Sequence, residues 1–329
     1  MSRDTLDRPE PAVGKRPGPA PRGRRRRRAS GTGARHARAA AGFLLPFLAL
    51  FALCFLAPIG YALHQSLFTT ERTGPLGLGG HERDVFAGFA NYAHALSDDR
   101  FLTGFGRVLL FGAVQIPLMI VLATALALLL ESASARGVTF FRTAFFLPYG
   151  VPGVIASILW GFLYVPGISP LVKIAGTLGW DVDFLSRGTV LWSIANIVTW
   201  QFTGYNMLVL IAQLKAVPGE LYEAARIDGA GAWQVARHIK LPLIRPALVL
   251  TCVFSIIGTL QLFAEPMVLR PLASAIDSGF TPNLHAYSEA FVGNNQHVAA
   301  AEAVLLALVA CVLSFGFLRL VGGRGTERR

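Results

Sequence analysis

Five side chains in two apolar segments combine amide and aromatic chemistry. They are Trp200, Gln201, Tyr205, Asn206 and Gln261. Amides donate and accept hydrogen bonds, and aromatic rings pack against C–H groups, so the set suits a polyhydroxylated solute such as a sugar. Polar groups inside apolar segments are costly and tend to face a cavity or a partner, which makes these residues candidates for a solute path. The alternative is a set of hydrogen bonds between helices, the commoner use of a single residue of this kind.

Groupings typical of catalysis are missing from the sequence. The seven histidines are scattered, and none belongs to an HExxH or similar metal-binding spacing. Cys54, Cys252 and Cys311 lie far apart in apolar segments, which argues against a disulfide or a metal site. The sequence also contains no GxxxxGK[ST] phosphate loop. We therefore expect no catalytic site and no cofactor bound by this chain.

Long apolar segments must position the polar side chains. The chain is 53% hydrophobic and 15% charged, against about 25% charged residues in typical soluble domains. Residues 108–130, 143–172 and 188–214 contain no charge, and each run exceeds the roughly 18–20 residues that cross a bilayer as a helix. Pro148 and Pro152 should bend the segment that contains them.

The pattern predicts an all-α polytopic membrane protein. Its membrane domain should cover residues 39–320, with six transmembrane helices at about 41–63, 106–130, 141–164, 188–213, 246–268 and 298–319. The first segment follows basic residues, as a signal peptide does, but it exceeds the roughly 7–15 apolar residues of such a peptide. We therefore interpret it as a retained helix.

The formal net charge of +11 is concentrated at one end of the chain. Twelve of the 30 Lys and Arg residues precede residue 40, and residues 1–38 have too few large apolar side chains to fold. With both termini inside, the inner segments hold 23 of the 30 basic residues, as the positive-inside rule requires. We predict a plasma-membrane protein with cytoplasmic tails, 1–38 disordered and 321–329, that contacts anionic lipid and binds no nucleic acid.

The segment 214–245, between the fourth and fifth predicted spans, is polar and amphipathic. Its notable residues are Glu223, Ala224, Ala225, Asp228, Gly229, Ile239, Leu241 and Pro242. Gly229 can adopt a positive φ and turn the chain after a first short helix. A second helix of about residues 231–240 should stop at Leu241-Pro242. We predict two short helices lying against the inner face of the membrane; an unpartnered interfacial helix is the alternative.

Glu223-Ala224-Ala225, Asp228-Gly229-Ala230 and Ile239-Lys240-Leu241-Pro242 together resemble the "EAA" loop of permease subunits in binding-protein-dependent ABC importers. Three other stretches carry the same resemblance. They are GFANY at 88–92, FRTAFFLP at 141–148 and PGELY at 218–222. The resemblance extends over about residues 40–320. Within that superfamily, the chain resembles the carbohydrate-uptake class, that is, permeases of the maltose and glycerol-phosphate type.

The resemblance implies a type I ABC importer permease fold and a set of partners. These are a second permease subunit, two ATP-binding-cassette subunits and an extracytoplasmic solute-binding protein. ATP and Mg²⁺ would bind the partner ATPase, which would dock on the loop around Glu223, so this chain is not itself an enzyme. The cargo implied is a mono- or oligosaccharide.

Other cargoes and other classes of protein stay open at this point. Glycerol phosphate, phosphate, peptide or polyamine is an alternative cargo, although a polyamine path favours carboxylates and only Glu265 is available. A secondary transporter usually keeps ionisable residues near mid-membrane, and the predicted spans here are almost free of them. A membrane enzyme would need an acid, metal or nucleophile cluster that the sequence does not contain.

Overall fold

The computed structural model describes residues 32–73, 81–132 and 135–322. The first predicted span consists of helix α1 (Thr32–Phe51), a π-helical turn (Ala52–Leu56) and helix α2 (Ala57–Ser66). Residues 32–38 are therefore helical, contrary to the predicted disorder, because alanine recurs through this stretch and has the highest helix propensity. Residues 1–31 of the N-terminal tail and residues 323–329 of the C-terminal tail lie outside the described residues.

A two-stranded antiparallel sheet follows α2, between the first and second predicted spans. Strand β1 (Phe68–Thr73) pairs with strand β2 (His81–Phe86), with Phe68 opposite Phe86. The strands hold phenylalanine, valine and threonine, which favour a half-buried pleated surface. The hairpin is a small addition to a chain whose described residues are mainly helical, as predicted.

His297 fastens this hairpin to the last long helix. Its Nδ1 lies 3.0 Å from the carbonyl oxygen of Gln65, and its Nε2 lies 3.0 Å from the hydroxyl of Thr70 in β1. The same Nε2 lies 3.3 Å from Oδ1 of Asp84 in β2. Both strands are therefore connected to the first turn of the helix α15 (Gln296–Gly322).

Helix α3 (Ala90–Ser97) contacts the C-terminal end of α2 through polar side chains. The buried Asn91 amide donates hydrogen bonds to the carbonyls of Ser66, at 2.9 Å, and Phe68, at 2.7 Å. The Tyr92 hydroxyl lies 2.6 Å from the Ser66 hydroxyl. These contacts satisfy backbone carbonyls that a helix end leaves without partners. The Asn-Tyr pair of the GFANY stretch thus has a structural role.

The longest helix, α4 (Asp99–Leu130), packs along helix α8 (Val190–Lys215). Asp98 caps α4 by accepting hydrogen bonds from the backbone N–H groups of Arg100 and Phe101. Partial burial opposes ionisation, but these bonds hold the pKa of Asp98 below its usual value. The α4 helix therefore starts before the predicted residue 106.

The third predicted span, 141–164, is two helices rather than one. Helix α5 (Val138–Phe146) leads through a 3₁₀ turn (Leu147–Gly150) to helix α6 (Gly153–Tyr164), at a bend of 97°. Prolines at 148 and 152 remove backbone donors there and disfavour helix at the residues before them.

Within the described residues, four helical segments are long and apolar enough to cross a membrane. They are Ala41–Ser66, Asp99–Leu130, Arg245–Leu269 and Gln296–Val321. The bent pair α5–α6 adds a fifth if it counts as one span. The more polar α8 has 26 residues, and at 1.5 Å per residue it reaches about 39 Å, long enough for a sixth.

The remaining helices complete the membrane domain. They are α7 (Pro170–Thr177), α9 (Gly219–Ile227), α10 (Ala232–Val235), α11 (Leu241–Leu243), α12 (Arg245–Leu260), α13 (Ala264–Leu269) and α14 (Pro282–Phe291). The predicted fifth span, 246–268, is interrupted at residues 261–263, between α12 and α13. Two apolar clusters lie along α8, one centred on Ile194 and the other on Met207.

Gly204 sets the distance between α8 and α5. A Cβ at this position would collide with the carbonyl of Phe145 and lie 2.9 Å from the Cα of Phe146. We expect Gly204→Ala to destabilise the folded chain by about 3 kcal/mol, the upper end for overpacking, because backbone atoms cannot move aside as a flexible side chain can. Thermal unfolding in detergent checks this. Gly106→Ala in α4, where a Cβ meets no atom within 4 Å, should unfold no earlier than the natural chain.

A buried ionic cluster joins α14 to α15. Nδ1 of His285 lies 2.9 Å from Oε1 of Glu302, whose side chain is fully buried, and Nε2 lies 3.7 Å from Oδ2 of Asp98. The hydrogen bond with Glu302, together with the negative charges of Glu302, Asp98 and Glu289, raises the pKa of His285 against the opposing effect of burial. The imidazole of His285 therefore gives the buried Glu302 carboxyl group a hydrogen-bond partner in the core.

Candidate functional site

The loop between α8 and α12 forms two short helical units, as predicted. The first is α9, and the second consists of α10, a π-helical turn (Ala236–Lys240) and α11. The predicted stop at Leu241-Pro242 is wrong, since the helix continues and the N–H of Ile244 donates to the carbonyl of Lys240 at 3.1 Å. Pro242 is tolerated because it lies in the first turn of α11, where a backbone donor is not needed.

Gly229 turns the chain between the two units. Its φ is +80°, and a row of backbone hydrogen bonds closes the end of α9 around it. The N–H groups of Asp228 and Ala230 donate to the carbonyls of Ala224 and Ala225, at 3.0 and 2.9 Å. This geometry is the glycine-dependent end of a helix. It fixes the angle between the two units.

The loop presents an exposed surface with large apolar side chains. Ile227 is 86% exposed and Trp233 is 73% exposed. Glu223, Ala224, Asp228 and Gly229 are also exposed, as are Leu241 and Pro242, whereas Ala225 and Ile239 are half-buried. Val235 is buried and holds the second unit against the domain. Large apolar side chains that are exposed together are typical of interaction sites.

A polar junction connects the loop to the ends of three long helices. Nζ of Lys240 donates to the carbonyl of Glu131, at the end of α4, at 2.9 Å. The carboxylate of Glu131 pairs with Arg142 of α5. Lys240 also lies over the ring of Tyr222 at 5.5 Å, and the Tyr222 hydroxyl donates to the carbonyl of Leu214, on α8, at 3.4 Å. Partial burial lowers the pKa of Lys240 and raises that of Tyr222.

Three of the five predicted path residues line one cavity. Tyr205, Asn206 and Gln261 lie on a space of about 440 Å³ between α4, α8, α12 and α13. This size is within the roughly 300–1,000 Å³ of small-molecule sites. The break at 261–263 places Gln261 there, since an uninterrupted helix would carry the chain past the cavity.

The other two predicted path residues lie elsewhere. The ring of Trp200 packs edge-on against Trp160, with centroids 5.7 Å apart. Gln201 donates to the carbonyl of Val151 at 2.8 Å, inside the break of the bent third span. Both are therefore used in contacts between helices, the alternative considered for each single residue.

Gln115 and Thr259 also line the cavity, and sequence reasoning missed them. Gln115 is 1% exposed; its amide nitrogen is 3.4 Å from the Thr199 hydroxyl, and its Oε1 is buried with no partner among the described residues. A lone amide inside the uncharged run 108–130 was the available signal.

Residues 119–324 match the family described as "binding-protein-dependent transport system inner membrane component". The diacetylchitobiose uptake system permease protein NgcF of Streptomyces coelicolor is 32% identical, over 87% of this chain and 85% of that protein. The trehalose transport system permease protein SugA of Mycobacterium tuberculosis is 31% identical, over 89% and 92% respectively.

The fold is that of a type I ABC importer permease. A crystal structure of a bacterial ABC transporter that imports alginate contains a chain superposable with a TM-score of 0.75, at 20% identity, over 90% of this chain and 98% of that one. The family match covers more than half of the 329 residues. The chain is therefore a multi-pass membrane protein that belongs to the family of binding-protein-dependent transport system inner membrane components.

Proposed function

We propose that this chain is a sugar-translocating permease subunit of an ATP-driven importer. The observation that carries the proposal is the cavity in which Tyr205, Asn206 and Gln261 meet. An aromatic ring offers a face for sugar C–H groups, and the amides offer donors and acceptors for hydroxyl groups. Relatives named for diacetylchitobiose, trehalose and lactose transport support a saccharide cargo.

Glycerol phosphate, the cargo in the name of the relative UgpA, fits the cavity less well. The described residues that line it include no Lys or Arg, and phosphate sites in proteins are built from such cations or from free backbone N–H groups. A carboxylate, Glu265, stands in the lining instead.

The partner chains would supply energy and deliver the cargo. Two ATP-binding-cassette subunits would hold ATP and Mg²⁺ and dock on the surface around Ile227 and Trp233. A second permease subunit would complete the path, and an extracytoplasmic binding protein would deliver the sugar. The charge distribution supports a cytoplasmic location for both termini and this loop.

The Lys240 junction would relay the movement of the ATPases. When ATP closes the nucleotide-binding dimer, the two-helix loop moves as a rigid body, because Gly229 and the hydrogen bonds around it fix its shape. Lys240 and Tyr222 connect that loop to α4 and α8, so the spans change between inward-open and outward-open arrangements.

Reconstitution tests the proposed function directly. The chain, its companion subunits and the binding protein are placed in sealed vesicles, and uptake of labelled trehalose, lactose, diacetylchitobiose and glycerol 3-phosphate is measured. We expect at least one sugar to accumulate, with a strict requirement for ATP and for the binding protein. Sugar movement without nucleotide and companion chains would refute the proposal, and so would uptake of glycerol phosphate alone.

Lys240→Met should separate ATP hydrolysis from transport. Methionine keeps an apolar stem but loses the hydrogen bond to Glu131 and the contact with Tyr222. We expect the ratio of sugar moved to ATP hydrolysed to fall about tenfold, the lower end of the range for a hydrogen bond from a charged group, while the complex still assembles. Arg237→Met, in the same helical unit but exposed, serves as the control. Equal ratios for the two variants would contradict the relay.

A further inference from the structure

Two buried side chains with acceptor oxygens line the cavity between α4, α8, α12 and α13. Glu265 is 9% exposed and Gln115 is 1% exposed. Oε1 of Gln115 has no partner in the described part of the chain, and the Glu265 carboxylate accepts from its own backbone N–H. A buried acceptor without a donor is costly, so Oε1 of Gln115 favours a donor from outside the chain.

The surroundings of Glu265 favour an acceptor rather than a structural ion pair. The residue begins α13, which packs on α6, and a Cβ built at Gly153 would lie 3.7 Å from its Oε1. Gly153 is the first residue of α6, whose N-terminal end carries partial positive charge. The carboxylate thus lies near the N-terminal end of α6, while the cavity-facing lining contains no basic side chain.

The amide of Gln115 is oriented by contacts of its nitrogen. Its nitrogen already approaches the Thr199 hydroxyl at 3.4 Å and the Met119 sulfur at 3.5 Å. These contacts orient the side chain and leave its oxygen as the free group. A cargo group between Gln115 and Glu265 therefore meets acceptors on two sides.

We propose that Glu265 selects the charge of the sugar: this cavity accepts saccharides that present hydroxyl or ammonium donors to Glu265 and Gln115, prefers an amino sugar over a neutral one, and rejects a sugar that carries a carboxylate. This inference rests on the proposed function and assigns its specificity to one residue. A bond from an ammonium group to a carboxylate is stronger than one from a neutral hydroxyl, and a second carboxylate beside Glu265 would be repelled.

The test uses the permease pair with its ATPases in lipid nanodiscs, without the binding protein, so that only the membrane cavity selects. Saturation-transfer NMR is titrated with glucosamine, glucose and glucuronate, at a pH that keeps the amine protonated. For the natural chain we expect glucosamine to bind about tenfold more tightly than glucose, with no signal from glucuronate. In Glu265→Gln the preference for glucosamine should disappear, and glucuronate should bind like glucose.

Two variants keep the result interpretable. Glu265→Asp retains the charge and should retain the order of the three sugars, which a purely structural role would not predict. Glu71→Gln, on the exposed hairpin strand, should change nothing. An unchanged order in Glu265→Gln would overturn the inference while leaving sugar transport intact, whereas no sugar signal from the natural chain, combined with no ATP-driven uptake in vesicles, would refute the proposed function itself.

Discussion

Gly229→Val is expected to abolish uptake while the protein still inserts in the membrane and folds. Residue 229 has φ of +80°, a conformation that costs an L-residue roughly 1–2 kcal/mol and a β-branched one more. No atom lies within 4 Å of a Cβ at this position, so the effect comes from the backbone and not from a collision. The chain escapes the strain by changing the angle between the two helical units, and the docking surface is then misaligned. Uptake in vesicles measures the loss of transport, and co-purification of the ATPase measures the loss of docking.

Two other glycine substitutions in α9 and its C-terminal turn serve as controls for that result. Gly229→Asn should keep part of the activity, since asparagine visits the left-handed region more readily than valine. Gly219→Ala, at the first residue of α9 and with open space around it, should transport normally. Normal uptake by Gly229→Val would show that the angle of the loop does not govern coupling.

His285→Ala is expected to cost about 3–5 kcal/mol of folding free energy, the range found when one partner of a buried ion pair is removed. The change leaves the fully buried Glu302 carboxylate without its histidine. Thermal unfolding of the detergent-solubilised chain measures the loss. His64→Ala, at an exposed histidine on α2, is the control and should unfold like the natural chain. A loss below 1 kcal/mol would mean that Glu302 is not held by His285.

The same histidine predicts a pH dependence of stability. The pKa of His285 is raised above its ordinary value of 6.5 by the carboxylates around it, so the folded state binds its proton more tightly than the unfolded state. The contribution is fully present below the unfolded pKa and is lost as the pH rises through the folded pKa. His285→Ala should remove that decline on the alkaline side, and an identical decline in the variant would assign it to another group.

Much of the fold could be predicted because lipid imposes a simple rule on sequence. Uncharged runs of span length gave the positions of α4 and α8 to within a few residues at most ends, and proline at 148 and 152 indicated a bend. The hairpin β1–β2 was missed because six-residue strands outside the membrane leave only a weak alternation of side chains. The break at 261–263 was missed because it contains neither glycine nor proline.

One part of the candidate site could be predicted from residue chemistry, and the other part depends on how the helices pack. Gly229 was predicted from its chemistry alone, since a left-handed turn needs a residue without a side chain. The cavity was predicted only in part, because the face of α8 on which a polar residue lies depends on what packs there. Trp200 and Gln201 precede Tyr205 and Asn206 by five residues, about 1.4 helical turns, so they face α6 and the 148–152 bend rather than the cavity.

His297 couples the β1–β2 hairpin to the last long helix. The His297 imidazole contacts Thr70 of β1, Asp84 of β2 and the backbone carbonyl of Gln65. His297 lies in the first turn of α15. That helix has 27 residues, so it runs about 40 Å without interruption. A force applied to the hairpin would therefore act directly on α15, an uninterrupted helix of transmembrane length.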